Sequence, residues 1–419
     1  MDINYYQVVA EQREEIRIIL QRGWVARENE KEIDPESKLV QIITGVRRCG
    51  KSTLAHRALR NTNYAYTNFD DERLGLIKST HLNELLEALY REYGDFSHLL
   101  LDEIQNVEGW HLFVNRLQRN NIRLVITGSN SKLLSSEFAT HLTGRYSVID
   151  LFPYSFREFL SLHEDSSQVK LTARSRGLIM SHLDKYLHAG GFPEPIEEGR
   201  HRSYLNDLFY SIVIRDILYR HNIKHTRTFK EIASFLISNF GKEISYNRIK
   251  NMFGLGSENT AKTYVGYLEE AWLILTLPKF SFKKQESLKY RKVYNIDTGL
   301  CQISGSSFSD NSGRILENAV FLDLLRRSRK ERYEVYYYKK SVEVDFVIYK
   351  NRKAETLIQV CLSMDNDKTK KREMRALIQA GMELGASKLF IVTMGEEAIL
   401  NEGSHKIQVL KLVDWLLRD

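Results

Sequence analysis

The segment GVRRCGKS, residues 45–52, fits GxxxxGK[ST] and lies between an apolar strand-like run, LVQIIT, and a helix-like stretch placing Leu54, Ala55, Ala58 and Leu59 on one face. A loop in that setting wraps phosphates with its backbone amides, and the helix N-terminus adds a favourable dipole. Lys51 reaches the β and γ phosphates of a nucleotide and Ser52 suits Mg²⁺. The expected ATP-binding set is Gly45, Val46, Arg47, Arg48, Cys49, Gly50, Lys51, Ser52 and Thr53. Within it the side chains of Arg47, Arg48 and Cys49 are expected to point away, because the amides do the cradling.

A phosphate loop of this kind needs a second carboxylate on the Mg²⁺ side, carried by a neighbouring strand. HLLLDE ends an apolar run with Asp102 and Glu103. Asp102 is assigned with Ser52 to the metal, and Glu103 to polarising the attacking water. RLVITGSN ends the next strand in polar residues, with Ser129 as the candidate γ-phosphate sensor and Asn130 in reserve. Arg145, in LTGR, is the candidate arginine presented to a neighbouring subunit's phosphate; a surface salt bridge is the competing reading.

Apolar runs alternate with amphipathic stretches over residues 39–150, which predicts a parallel sheet with crossover helices. Leu82, Leu85, Leu86 and Leu89 share one helical face behind Ser79 and Thr80 as caps; Trp110, Phe113, Val114 and Leu117 repeat the spacing. The expected organisation is a helical segment at 1–38, an α/β nucleotide-binding core at 39–152, a helical lid or connector at 153–225 and three helices plus a hairpin at 226–300. A second α/β domain follows at 313–419. AGGFPEP interrupts the connector with a forced turn.

With 42% hydrophobic and 27% charged residues in a chain of 419, disordered and collagen-like classes are excluded. The charge of +7 suits phosphate-bearing partners without demanding them. Cys49, Cys301 and Cys361 lack metal-ligand spacing. No apolar run approaches the ~20 residues that cross a bilayer, and the N-terminus lacks signal-peptide regions, so a cytoplasmic protein with no membrane partner is expected.

EQREEIRIIL, GVRRCGKS, LLLDEIQ, ITGSN, LTGR, PYSFREFL, YLHAGGFPEP and VIRDIL occur in an order that resembles a bacterial and archaeal group of AAA-type ATPases. The resemblance implies an α/β P-loop NTPase parallel sheet core with a helical lid, a winged helix and a C-terminal domain similar to restriction endonucleases. A nuclease of that type uses acidic residues and an E/Q-x-K lysine. Glu317, Glu343 and Asp345 supply carboxylates, but the third element reads Gln359, Val360, Cys361, so a degenerate nuclease fold is expected. Arg248, Lys250 and Lys262, with Lys279, Lys283, Lys284, Lys289, Arg291 and Lys292 on the hairpin, form a candidate DNA grip. The resulting expectation is Mg²⁺-dependent ATP hydrolysis, in a chain that can form a homo-oligomer. An ATP-bound switch with little turnover, a small-molecule kinase and an ATP-gated nuclease are the alternatives.

Overall fold

The computed structural model describes residues 3–21, 24–129, 144–163, 172–198, 201–303 and 308–418. The chain divides into two compact units, Met1–Phe152 with Glu270–Trp272, and Pro153–Glu269 with Leu273–Asp419.

In the first unit, α1 (Tyr5–Leu20) precedes β1 (Val40–Thr44), α2 (Lys51–Leu59), β2 (Tyr64–Asn68), α3 (Leu82–Tyr93), β3 (His98–Asp102), α4 (Trp110–Arg119), β4 (Arg123–Gly128) and β5 (Tyr146–Asp150). The strands form one parallel sheet in the order β2-β3-β4-β1-β5. Every residue of β1 and β3 is buried, as expected when helices cover both faces. Leu85 and Leu89 of α3 and Phe113, Val114 and Leu117 of α4 pack in the same core as Ile42, Leu99, Leu101 and Ile126. Ser79 and Thr80 do not cap α3. They lie in a 3-10 turn, Ser79–His81, and His81 holds the cap position. Parallel register brings Asn68, Asp102 and Thr127 abreast, and Thr44 abreast of Gly128 and Asp150. One edge of the sheet thus collects the loops that carry chemistry.

The second unit begins with α5 (Phe156–Leu160), α6 (Ala173–Ala189), α7 (Pro193–Glu198) and α8 (His201–Ser211), then a π-helical stretch, Ile212–Tyr219. PYSFREFL is a helix start. Ser155 Oγ accepts from the Glu158 N–H at 3.1 Å while the Glu158 carboxylate accepts from the Ser155 N–H at 2.9 Å, a closed capping box. AGGFPEP is shaped by a distant partner: Asp297 Oδ2 accepts from the Gly191 N–H at 2.6 Å and Oδ1 from the Gly299 N–H at 2.8 Å. Gly190 has φ +80°, and a Cβ there would lie 1.9 Å from Asp297 Oδ1.

Next come α9 (Thr226–Ser238), β6 (Lys242–Ile244), α10 (Tyr246–Met252), α11 (Glu258–Glu270), β7 (Ile274–Pro278), α12 (Lys284–Lys289) and β8 (Arg291–Asn295). β8 pairs antiparallel with both β6 and β7. The three helices and hairpin read from the pattern are present, with β6 and the short α12 added. β6 has three residues, too few for any periodicity to show.

Beyond α13 (Phe308–Glu331) lie β9 (Glu334–Lys339), β10 (Glu343–Lys350), β11 (Lys353–Val360), α14 (Asp367–Leu384), β12 (Lys388–Thr393), β13 (Ala398–Glu402), β14 (His405–Lys411) and α15 (Leu412–Leu417). They build a mixed six-stranded sheet, β13-β14-β12-β11-β10-β9. After β12 the chain closes with the β13–β14 hairpin and the short helix α15. In β10 the register shifts between Val344 and Val347, so strict alternation fails: Val344, Phe346 and Val347 are all fully buried and Ile348 only half-buried.

Candidate nucleotide site

The loop leaving β1 alternates unusual backbone conformations: Gly45 at φ +155°, Arg48 at +67° and Gly50 at +94°, after which α2 starts at Lys51. Successive amides in such a chain converge on a concavity suited to an anion. Gly45 is obligatory, since a Cβ there would stand 2.0 Å from the Leu151 carbonyl oxygen. Arg27 braces the loop from behind, with Nη1 donating to Cys49 O at 2.8 Å and Nη2 to Phe152 O at 2.6 Å. Cys49 points inward, its Sγ 3.4 Å from Leu151 O, and burial raises its thiol pKa. Arg47 turns outward to Asp70 at 2.9 Å and Arg48 is exposed. Val46 is fully buried; Ser52 and Thr53 are half-buried on the first turn of α2.

Lys51 is buried, 5% exposed, with Nζ donating to Val46 O at 3.1 Å and lying 3.8 Å from Glu103 Oε1. An ammonium has three donors, and the described protein atoms within hydrogen-bond reach supply one carbonyl. That leaves donor capacity aimed at an anion. Asp102, at the end of β3, accepts from Thr127 Oγ1 and from the Ser52 side chain. Burial first, and the Glu103 charge second, push its carboxyl up to about 6 against Thr127, Ser52 and Lys51. A carboxylate so poorly solvated, beside a serine hydroxyl, is a fitting holder for a divalent cation.

Glu103 sits at φ +54°, a backbone region sparsely used by residues other than glycine, and this turns its carboxylate back toward the loop. Oε2 accepts from the Ser129 N–H and Oγ, each at 3.1 Å, and from Gln105 Nε2. Burial pushes the carboxyl up, but the Lys51 charge and the bonds from Ser129 and Gln105 outweigh it, so its pKa is lowered. A charged carboxylate fixed by hydrogen bonds can take a proton from water or orient it.

The chain is similar to two proteins over most of the length of each. An uncharacterized protein of Methanocaldococcus jannaschii is 35% identical over 409 residues, covering 92% of this chain and 90% of the relative. An uncharacterized protein of Haemophilus influenzae is 31% identical over 402 residues, covering 91% and 95%. Residues 37–160 match a family model described as AAA domain. The chain belongs to the family of these two proteins and carries an AAA domain at residues 37–160. Residues 180–308 and 312–413 of the AAA-domain protein match two further models, each described as a domain of unknown function.

Among solved structures, a STAND signal transduction ATPase with a tetratricopeptide repeat sensor from Pyrococcus horikoshii is 17% identical, with a TM-score of 0.27 over 72% of this chain and 45% of that one. Cdc6p from Pyrobaculum aerophilum is 13% identical, with a TM-score of 0.25 over 76% and 98%. Scores that low carry no functional reading.

Within the AAA domain the structure thus brings together Lys51, Ser52, Asp102, Glu103 and Ser129. Arg145 is elsewhere. It precedes β5 and its carbonyl accepts from Val40 N–H at 3.1 Å, so a strand length of ~16 Å separates it from the phosphate loop of its own chain. Asn130 lies outside the described residues. Sequence reading missed Thr127, Arg27 and Gln105. Of these only Thr127 left a signal, a hydroxyl in register with Asp102 once the parallel order is known. Beyond β2, Asp71 accepts from Gln12 of α1 at 2.9 Å and from Arg73, contacts that hold α1 to the sheet.

The second predicted constellation also converges. Glu317, Glu343 and Asp345 meet in the C-terminal sheet, and Asp345 donates its N–H to Gln359 Oε1 at 3.3 Å. Cys361 is buried, its thiol pushed up to about 12 by burial and by the Glu373, Glu396 and Asp345 charges.

Proposed function

We propose that the protein is a Mg²⁺-dependent ATPase. The observation that supports it best is the convergence of a buried, donor-rich Lys51, the Ser52–Asp102 pair and a hydrogen-bonded Glu103 on one phosphate-shaped loop. Lys51 would bind the β and γ phosphates, Ser52 and Asp102 would hold Mg²⁺, and that ion would neutralise phosphate charge. Glu103 would accept a proton from the attacking water. Ser129 now anchors Glu103; a γ-phosphate competing for its hydroxyl would release the carboxylate, which makes it a sensor and a latch at once. Arg145 lies a strand length from its own loop, so in this reading it acts on a phosphate of a neighbouring copy in a homo-oligomer; the competing reading keeps it as a surface residue. Lys51→Ala is expected to lose ATP binding, by about 10²-fold or more for a phosphate contact worth ~3 kcal/mol. Equilibrium titration with a fluorescent ATP analogue checks this, and unchanged affinity would remove the loop from the argument.

DNA binding by a winged helix is the second part of the proposal. The β7–β8 hairpin carries Lys283, Lys289 and a Phe282 that is 86% exposed, a cation-and-aromatic tip suited to a nucleic-acid backbone and bases. The nine-residue basic set needs correcting. Lys292 is only 3% exposed and faces carboxylates; Lys279 pairs with Glu286 at 3.8 Å; and Arg291 donates to Thr276 at 2.9 Å. The Lys284 side chain lies outside the described residues. Neutralising Lys283 and Lys289 should lower the slope of log K against log salt by roughly 2, at ~0.9 per phosphate contact. A gel-shift series across salt concentrations reads that slope, and an unaltered one rules the hairpin tip out.

A further inference from the structure

Lys292 lies on β8, inside the second unit, and reaches the position where the carboxylates of the C-terminal sheet converge. Its Nζ is 3.2 Å from Glu317 Oε1, 3.1 Å from Glu343 Oε1 and 3.3 Å from Asp345 Oδ1. The three acids come from α13 and from two positions of β10, Glu343 and Asp345, beside its shift in register. Three N–H donors thus meet three carboxylates, one each. The neighbours are also bound: Tyr294 donates its hydroxyl to Glu317 Oε1 at 2.6 Å, and Asp345 Oδ2 accepts from the Val360 N–H at 2.9 Å.

We infer that this acidic centre is a cation site filled by the chain's own ammonium, so that Lys292 closes it to divalent metal and ties β8 to α13 and β10. The inference is independent of the ATPase reading.

The charge balance supports it. Three carboxylates face one buried ammonium, and among the described residues the other cation paired with them, Lys339 at 3.4 Å from Glu343, is half exposed. Without Lys292 the centre holds two or three negative charges with no buried counter-ion, a site that attracts Mg²⁺ or Mn²⁺. Burial disfavours the charged ammonium, but Glu317, Asp345 and Glu343 together raise its pKa well above the usual lysine value. Oxygens 3.1–3.3 Å from the nitrogen are spaced for an ammonium, about 1 Å wider than Mg²⁺ coordination at ~2.1 Å. Glu343 has a side chain 43% exposed, so a hydrated cation has an approach from solvent and a ligand free to move inward. The missing lysine of the third nuclease element is thus not replaced by a working one: the lysine that reaches the centre takes the metal's place.

The test is Mn²⁺ binding to the full-length chain without nucleotide, read by the loss of free Mn²⁺ signal in electron paramagnetic resonance. Lys292→Ala is expected to bind one more Mn²⁺ than wild type, at least about tenfold tighter than any wild-type uptake. Adding Asp345→Asn should abolish the gain. Mn²⁺ should also raise the melting temperature of Lys292→Ala and leave that of wild type unchanged. Wild type that already binds Mn²⁺ through Asp345, or cleaves DNA with Mn²⁺ in a manner lost in Asp345→Asn, overturns the inference. So does a folded Lys292→Ala that gains no ion. Should Lys292→Ala fail to fold, Lys292→Met keeps the aliphatic stem packed. If neither variant folds even with millimolar Mn²⁺ present, a divalent ion cannot stand in for the ammonium and the proposal fails.

Discussion

Glu103→Gln keeps ATP binding near the wild-type level and lowers turnover by about 10²–10⁴-fold, the usual contribution of a positioned general base. The substitution is nearly isosteric, and a glutamine oxygen can still accept from the Ser129 N–H and Oγ that now hold the carboxylate. Lys51 loses a charge 3.8 Å away but keeps its donors and its bond to Val46 O. Ser52, Asp102 and Thr127 are untouched, so the metal side of the site survives. What disappears is the proton acceptor. Single-turnover hydrolysis of labelled ATP, run beside equilibrium binding, separates the two effects. Equal hydrolysis by the two proteins would move the base elsewhere; weakened binding at equal turnover would assign Glu103 to holding Lys51 in place. The same assay distinguishes a slow ATP-bound switch, whose wild-type rate would already sit near that of the variant, and product analysis exposes transfer to an acceptor other than water.

The elements legible in the sequence are those whose determinants are local. GVRRCGKS carries its own turn chemistry, and the strand before it and the helix after it have periods that differ within a few residues, so the loop and its setting could be read together. Asp102 and Glu103 end a wholly apolar run for the same reason. By contrast, Arg27 and its acceptors are separated by 22 and 125 residues, and Asp297 is 106 residues from the Gly191 N–H it accepts. Nothing in a local pattern marks such pairs. Lys292 illustrates the failure most clearly. Read along the chain it belongs to a basic hairpin, and alternation along β8 sends it to the opposite side from Arg291, into a carboxylate cluster built by residues 25 to 53 positions later. The composition of a segment reports average exposure; the pleat decides which member is buried.

That principle makes Gly190→Ala the most informative change outside the nucleotide site. The expected loss is roughly 3–5 kcal/mol of stability, at the severe end for one substitution. Part of it is conformational: at φ +80° an alanine carries a strain of about 1 kcal/mol or more. The larger part is overlap, because the new Cβ would stand 1.9 Å from Asp297 Oδ1 and 2.6 Å from its Cγ. Asp297 cannot simply swing aside. Its two oxygens hold the Gly191 and Gly299 N–H groups, and a Cβ at Gly299 would itself meet Ala189 O at 2.5 Å, so the turn and the Asp297–Gly299 strand exit are packed backbone to backbone. Burial raises the Asp297 carboxyl to about 6 despite those donors. Its contribution to stability is therefore fully present below the unfolded carboxyl value near 4 and is lost as pH rises through about 6. A double-mutant cycle apportions the terms. In an Asp297→Ala background, Gly190→Ala should cost only the conformational part, whereas two independent effects would leave its cost unchanged. Thermal melts of the four proteins at pH 7 decide between them, and a Gly190→Ala protein that melts with wild type would show that the turn has room for a side chain after all.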